Sequence, residues 1–167
     1  IGISNYSETE ALKAIRILEG LGTPCLIHQL RYNMLDAKPQ KDVLPSLFQA
    51  GVGSIVYSPL AQGLLSNRYR NAIPKGSRAE RKDSPFLSHH EVETHQSIIH
   101  NLTILSEKRG QTLAQLALAW CLRLESVTSV LIGVSTTEQI KENLKACDHT
   151  DFTEEELHEI SRICQKD

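Results

Sequence analysis

Tyr57-Ser-Pro-Leu-Ala-Gln-Gly-Leu-Leu65 closes an apolar run, Val52-Gly-Ser-Ile-Val-Tyr57. A short apolar run stopped by polar, Gly and Pro residues reads as a buried strand that delivers a loop to the rim of a sheet. A ring, a hydroxyl and an amide come together where this strand ends. In parallel α/β folds such ends are where ligands bind.

Upstream, Ile1-Gly-Ile-Ser4 reads as a short buried strand. Ser7-Glu-Thr-Glu10 has capping-box spacing and opens a helix to about Leu18–Glu19, with Leu12, Ile15 and Leu18 on one side. Gly20 and Gly22 are expected to end it. A strand follows over Leu26–Leu30, then loop from Asn33 to Lys41, and a short helix from Asp42 to about Ala50, stopped by Gly51. The third strand spans Gly53–Ser58. The three strand starts fall about 26 residues apart, the period of a βα unit.

The rhythm then breaks. Pro59 to about His90 holds Pro59, Gly63, Pro74, Gly76 and Pro85, with Arg68, Arg70, Lys75, Arg78, Arg81 and Lys82. A loop this long is usually a functional lid or a disordered segment. Beyond it, Ile98, Leu102 and Leu105 predict one amphipathic helix from Glu91 to Arg109, ended by Gly110. Thr112-Leu-Ala-Gln115 starts a very apolar helix to about Leu124, suited to packing between two layers. A strand over Ser129–Gly133, a helix from Ser135–Thr136 to about Ala146, and a helix from Thr153-Glu-Glu-Glu156 to about Gln165 complete the chain. The order β-α-β-α-β-loop-α-α-β-α-α calls for a parallel sheet with right-handed crossovers. Four such strands leave open edges, so the chain reads as half of something larger. Its first residues, already strand-like and without an initiator Met, read as a chain entered midway.

Composition narrows the class. The length, 167 residues, suggests one domain, and 40% hydrophobic with 23% charged residues is that of a globular protein. Eighteen Lys and Arg against 20 Asp and Glu leave a net charge of −2, so no overall basic field argues for nucleic acid or a membrane surface. No run approaches a membrane span and no secretory signal pattern is present. Cys25, Cys121, Cys147 and Cys164 form no C-x-x-C pair, which fits reduced thiols in a cytoplasm.

Polar residues recur at each strand's C-terminal end: Ser4 and Asn5, Gln29, Tyr57 and Ser58, and Ser135. If the strands are parallel these ends share one rim, although each residue alone could be a turn former or local cap. The helix opening near Thr136 presents free N–H groups and a positive dipole end, suited to phosphate. Gln139, Glu142 and Asn143 share one face of it, as they also would on an ordinary surface helix. His89, His90, His95 and His100 lack the i, i+4 spacing of a helical zinc pair, and no metal site is expected. No P-loop, G-x-G-x-x-G or G-x-S-x-G occurs.

Gly2-Ile-Ser-Asn-Tyr6, His28-Gln-Leu-Arg-Tyr-Asn33, Tyr57-Ser-Pro-Leu-Ala-Gln-Gly-Leu-Leu65, and Leu131-Ile-Gly-Val-Ser135 with Glu138-Gln-Ile-Lys-Glu-Asn143 resemble the aldo-keto reductases. The pieces stand in the family's order and cover the chain from end to end. The Ser58-Pro-Leu-Ala-Gln-Gly loop and the Gly-Val-Ser turn look closest to the branch that holds L-glyceraldehyde 3-phosphate reductases and potassium-channel β-subunits.

The resemblance implies an α/β fold, the C-terminal half (strands 5–8 and their helices) of a (β/α)8 TIM barrel that binds NADPH across its C-terminal rim. It implies that Ser4, Asn5 and Gln29 hold the nicotinamide carboxamide and that Tyr57 stacks on the nicotinamide. Ser58, Leu60 and Gln62 would line the pyrophosphate path, with Arg68 and Arg78 supplying basic contacts to phosphate. Gly133, Ser135, Gln139, Glu142 and Asn143 would take the adenosine end. A preference for NADPH over NADH then rests on Ser135, Gln139 and the loop arginines. The family's catalytic Asp, Tyr, Lys and His lie on the first four strands, which this chain does not contain. Tyr6, Tyr32 and Tyr69 do not match the catalytic position, so no catalytic residue is assigned and the chain alone is expected to be inactive.

Three readings follow from the resemblance. The first is a cytoplasmic NADPH-dependent reductase of small aldehydes or ketones, partnered by the missing N-terminal half of the barrel. The second is a nucleotide-binding regulatory subunit with little turnover. The third is a half-barrel that pairs with a second copy as a homo-oligomer.

Overall fold

The structure is a computed structural model that describes residues 1–77, 79–80, 85 and 87–165. Elements follow in the order β1 (Gly2–Ser4), α1 (Glu8–Gly20), β2 (Ile27–Arg31), α2 (Val43–Gln49), β3 (Gly53–Tyr57), α3 (His89–Thr94), α4 (Gln96–Lys108), α5 (Leu113–Leu122), β4 (Ser129–Val130), α6 (Thr137–Leu144) and α7 (Glu154–Cys164). The described residues divide into two compact units. The first holds Ile1–Pro59 and Trp120–Gly133, and the second holds the rest.

The first unit is built on a sheet in the order β1-β2-β3-β4, with every neighbouring pair parallel. The alternating β and α pattern therefore forms the parallel α/β sheet that it predicts. Alternation along the strands divides the side chains between two faces. His28, Leu30, Ser54 and Val56 are fully or almost fully buried, while Ile27, Gln29, Ile55 and Tyr57 on the opposite face are only half-buried. In register, Gly2, Ile27 and Gly53 stand side by side. A Cβ at Gly2 would come within 2.8 Å of Ile27 Cγ2, so the Ile27 side chain fills the space that a side chain at Gly2 would need.

Local signals place the helices. Ser7 and Glu10 cap α1 reciprocally, and hydrogen bonding to Ser7 holds the Glu10 carboxyl below its usual pKa. Ser46 Oγ of α2 bonds Glu8 of α1. α1 runs through Gly20, so the stop falls to Gly22 alone. The N–H of Gly22 reaches Glu19 O at 2.9 Å and that of Thr23 reaches Leu18 O at 3.0 Å.

The second unit contains α3, α4, α6, α7 and the first part of α5. The expected single helix over Glu91–Arg109 is instead two. His95, at φ −99° and ψ 4°, closes α3 and precedes α4, and its Nδ1 lies 2.6 Å from Glu91 O. α3 has its own start, a reciprocal cap between Ser88 and Glu91. α4 and α7 pack through a knot centred on Arg109, whose side chain is 4% exposed. Its guanidinium pairs with Glu156 at 2.5 Å, donates to Gln111 Oε1 and Asp151 O, and lies 4.0 Å over the Phe152 ring. The expected loop over 59–90 is not featureless where described, holding two 3-10 turns, Ala61–Gly63 and Asn67–Tyr69.

α5 is apolar on nearly every side. Leu113 and Gln115–Cys121 are buried, in keeping with the packed position expected of it. β4 is shorter than the expected Ser129–Gly133. Leu131 N–H still reaches Val56 O at 2.8 Å. Past Tyr57 the backbone of the neighbouring strand turns left-handed at Ser58, whose carbonyl accepts the Asn33 side chain.

Candidate functional site

In the first unit, β1 ends on Ser4 and Asn5. Ser4 pairs with Gln29, and Gln29 with Ile55, so the Ser4 hydroxyl and Gln29 amide lie on one sheet face. The Asn5 N–H makes the last rung to Gln29 O at 2.9 Å. Asn5 then turns left-handed at φ +59°, a conformation that Asn tolerates better than most side chains. The turn rotates the next amide away from the ladder, and Tyr6 N–H donates to His28 Nε2 at 3.2 Å.

β3 ends on Tyr57, whose hydroxyl donates to Asn5 Oδ1 at 3.1 Å across 52 residues of chain. The ends of the first and third strands are thus tied by two of the residues expected to form the site. Ser58 follows at φ +54°, and its carbonyl accepts the Asn33 amide at 3.0 Å. Asn33 Oδ1 accepts Leu35 N–H at 2.9 Å. Gly133, past the end of β4, is exposed.

Two polar groups that the sequence reading did not assign to the site support these ends from beneath. His28 and Asn33 are both 0% exposed. Burial lowers the His28 pKa, keeping the ring neutral so that Nε2 can accept. The signal for His28 is present in the sequence, since period-two alternation puts it on the same face as Leu30. Nearby, Tyr32 hydroxyl donates to Gln40 Oε1 at 2.9 Å, Arg123 donates to both, and Trp120 stacks on Tyr32 at 5.0 Å. Burial pushes the Tyr32 phenol well above its usual pKa and the Cys121 thiol up to about 12, so neither is an acid or nucleophile near neutral pH.

In the second unit, Leu60 O accepts the N–H groups of Gly63 and Leu65 at 2.8 and 3.1 Å, fixing a tight turn. Ala61 and Gln62 inside it have φ +45° and +61°. Asn5, Ser58, Ala61 and Gln62 are the non-glycine residues with positive φ among the described residues. All four follow the ends of β1 and β3. Strained backbone of this kind clusters where function over-determines the geometry. Arg68 is exposed beside this turn, its N–H capped by Ser66 Oγ. Arg78 lies outside the described residues.

α6 starts with Thr136 as its cap, Oγ1 accepting Gln139 N–H at 3.3 Å. Gln139 Oε1 accepts Ser135 N–H at 2.7 Å, so this side chain bends back over the helix start. Glu142 is exposed and Asn143 half-buried, while Glu142 O accepts the Gln115 amide at 3.0 Å. Among the described residues no group of His, Cys, Asp or Glu is placed to hold a metal, and no helix is long and apolar enough to cross a membrane.

Comparison with known proteins gives this geometry a context. The model of the aldo/keto reductase family matches residues 1–165. The chain is 40% identical over 166 residues to the L-glyceraldehyde 3-phosphate reductase of Escherichia coli O157:H7, and 39% to that of Escherichia coli strain K12. Each match covers 97% of this chain and 48% of the relative, so the chain spans about half the length of the curated relatives it matches. Its structure is similar to the holo form of an aldo-keto reductase from Bacillus halodurans, with TM-score 0.69 and 25% identity, over 98% of this chain and 49% of that one.

Proposed function

This chain belongs to the aldo/keto reductase family, and from that premise we propose that it is the C-terminal half of a TIM-barrel reductase, supplying the cofactor side of an NADPH-dependent reduction of small aldehydes or ketones. The observation that carries this reading is the bond from Tyr57 hydroxyl to Asn5 Oδ1, which sets a ring beside an amide, a hydroxyl (Ser4) and a second amide (Gln29) at the strand ends. That donor and acceptor set suits a nicotinamide. Its carboxamide offers one carbonyl and one NH2, which Ser4, Asn5 and Gln29 can meet. Tyr57 is half-buried, with ring surface left to stack.

The bound dinucleotide would supply hydride to the carbonyl carbon. The residues of this chain hold and orient it: Ser4, Asn5 and Gln29 fix the carboxamide, and Tyr57 covers one ring face so that the other meets substrate. Ser58, Leu60 and Gln62 take the pyrophosphate, with Arg68 and Arg78 adding positive charge. Gly133, Ser135, Gln139, Glu142 and Asn143 take the adenosine end. The Ser135 N–H becomes available to a phosphate when the Gln139 amide swings out. The proton for the carbonyl oxygen comes from outside this chain; Tyr32, buried and strongly disfavoured as an acid, does not supply it. Residues beyond this chain would complete both the barrel and the catalytic set, and this chain alone is inactive. The reductase names of the relatives favour turnover over a purely regulatory nucleotide sensor.

Titration of the full-length protein with NADPH, followed by cofactor fluorescence, tests the reading. Saturation in the micromolar range with aldehyde-dependent oxidation is expected. Absence of binding at tens of micromolar overturns it, and binding without turnover across a panel of aldehydes transfers the case to the sensor.

A further inference from the structure

The buried side chains of His28 and Asn33 belong to β2 and the turn after it, yet each bonds the backbone of a neighbouring strand end. His28 Nε2 accepts the N–H that follows left-handed Asn5, and Asn33 Nδ2 donates to the carbonyl of left-handed Ser58. Gln29 O, between them in sequence, accepts Asn5 N–H. We infer that His28 and Asn33 are positioning residues that clamp the ends of β1 and β3 in their left-handed geometry, and so set affinity for the nicotinamide half of the dinucleotide. The inference rests on the reading above and extends it to two residues outside the proposed cofactor contacts.

The cost of His28 supports a purpose. With Nε2 accepting, the ring proton sits on Nδ1, which has no partner among the described residues, and Ser54 Oγ, opposite in register, has none there either. A buried donor left unmade is destabilising, and an apolar side chain would seal this sheet face better. What an apolar residue cannot do is accept Tyr6 N–H, an amide that the turn at Asn5 has taken out of the ladder. Asn33 is bonded at both ends of its side chain by contrast. Its backbone N–H and C=O pair with Asp36 at 3.4 and 3.0 Å. Replacing it by Asp keeps shape and the Leu35 contact while setting an oxygen against Ser58 O.

The test uses full-length protein carrying His28→Leu, His28→Gln or Asn33→Asp, titrated calorimetrically with nicotinamide mononucleotide and, separately, adenosine 2′,5′-bisphosphate. His28→Leu and Asn33→Asp are expected to weaken the nicotinamide fragment about tenfold, the worth of one such hydrogen bond, and leave the adenosine fragment unchanged. His28→Gln, whose amide oxygen can accept Tyr6 N–H, is expected to recover most of the loss. Amide exchange at Tyr6 should quicken in His28→Leu and not in His28→Gln. Folded variants that bind the nicotinamide fragment like wild type overturn the inference, as does equal weakening of both fragments. If His28→Leu does not fold, Asn33→Asp and His28→Gln decide it. Wild-type protein that binds neither fragment overturns the dinucleotide reading itself, and Tyr6 exchange then judges the clamp alone.

Discussion

Among the described residues the backbone turns left-handed both after helices and after strands, and the residues found there differ, although Gly63 shares the turn after β3 with Ala61 and Gln62 and Gly76 lies in the long loop. After α2, Gly51 takes φ +70° in a turn that returns the N–H groups of Gly51 and Val52 to Phe48 O and Leu47 O at 3.1 and 3.0 Å. Nothing lies within 4 Å of where its Cβ would be. Gly22 and Gly110 repeat the arrangement after α1 and α4. After β1 and β3 the same region is occupied by Asn5, Ser58, Ala61 and Gln62. Left-handed backbone costs an L-residue about 1–2 kcal/mol. At helix ends the chain avoids that cost, whereas at strand ends it accepts the cost and gains side chains; the Asn5 amide is tied to Tyr57, and Asn33 holds the backbone carbonyl of Ser58.

The largest expected break in this comparison is Tyr57→Ala. It removes the ring and the bond to Asn5 Oδ1 together. Loss of an aromatic platform beneath a base-like ring is worth about 1–3 kcal/mol, so NADPH affinity should fall roughly 5- to 150-fold. Because Tyr57 is only half-buried, the melting temperature should move little. A fluorescence titration beside a thermal melt separates the two. Unchanged affinity would mean that the strain at the strand ends serves something other than a dinucleotide.

Gly51→Ala should show the opposite pattern. A Cβ meets no neighbour, so the cost is conformational, about 1 kcal/mol of stability, with NADPH affinity unchanged. Chemical denaturation measures the first and titration the second. A loss of affinity as large as that of Tyr57→Ala would erase the distinction between turns that only turn and turns that bind.

How much of this could be read from the residues follows from the range of the interaction concerned. The caps at Ser7/Glu10, Thr112/Gln115 and Thr153/Glu156 all form, because each is settled within four residues. The parallel sheet was legible for a similar reason, as regular spacing of strands and helices leaves little other topology. The break at His95 was not. The apolar spacing Ile98, Leu102, Leu105 carries no mark of a boundary at His95, so periodicity sees one helix where the backbone makes two. The bond from the Asn33 amide to Ser58 O spans 25 residues and was equally out of reach. The polar residues at the strand ends can be listed from the sequence, but their mutual bonds were beyond reach. Tyr57 to Asn5 and Tyr6 to His28 are made only once β1, β2 and β3 lie in register, and Gln139 bending back to Ser135 N–H is a rotamer choice that spacing does not reveal.

Ala61 offers the finest cut. It is 4% exposed, takes φ +45°, and carries only a methyl group, so it has the strain of the strand-end residues without a polar group to justify it. If the left-handed backbone alone is what this turn needs, Ala61→Gly relieves the strain, offset in part by the greater freedom glycine gives the unfolded chain. A net gain of about 0.5 kcal/mol with NADPH affinity unchanged is then expected. If the methyl group is itself the reason, wedged in to hold Leu60 and Gln62 where a phosphate is to pass, the same substitution loses both stability and affinity. A denaturation curve and a titration on this one variant tell the cases apart. The first result places Ala61 with the glycines of the helix ends, although it sits next to Gln62, and draws the border of the binding site between two adjacent residues of one turn.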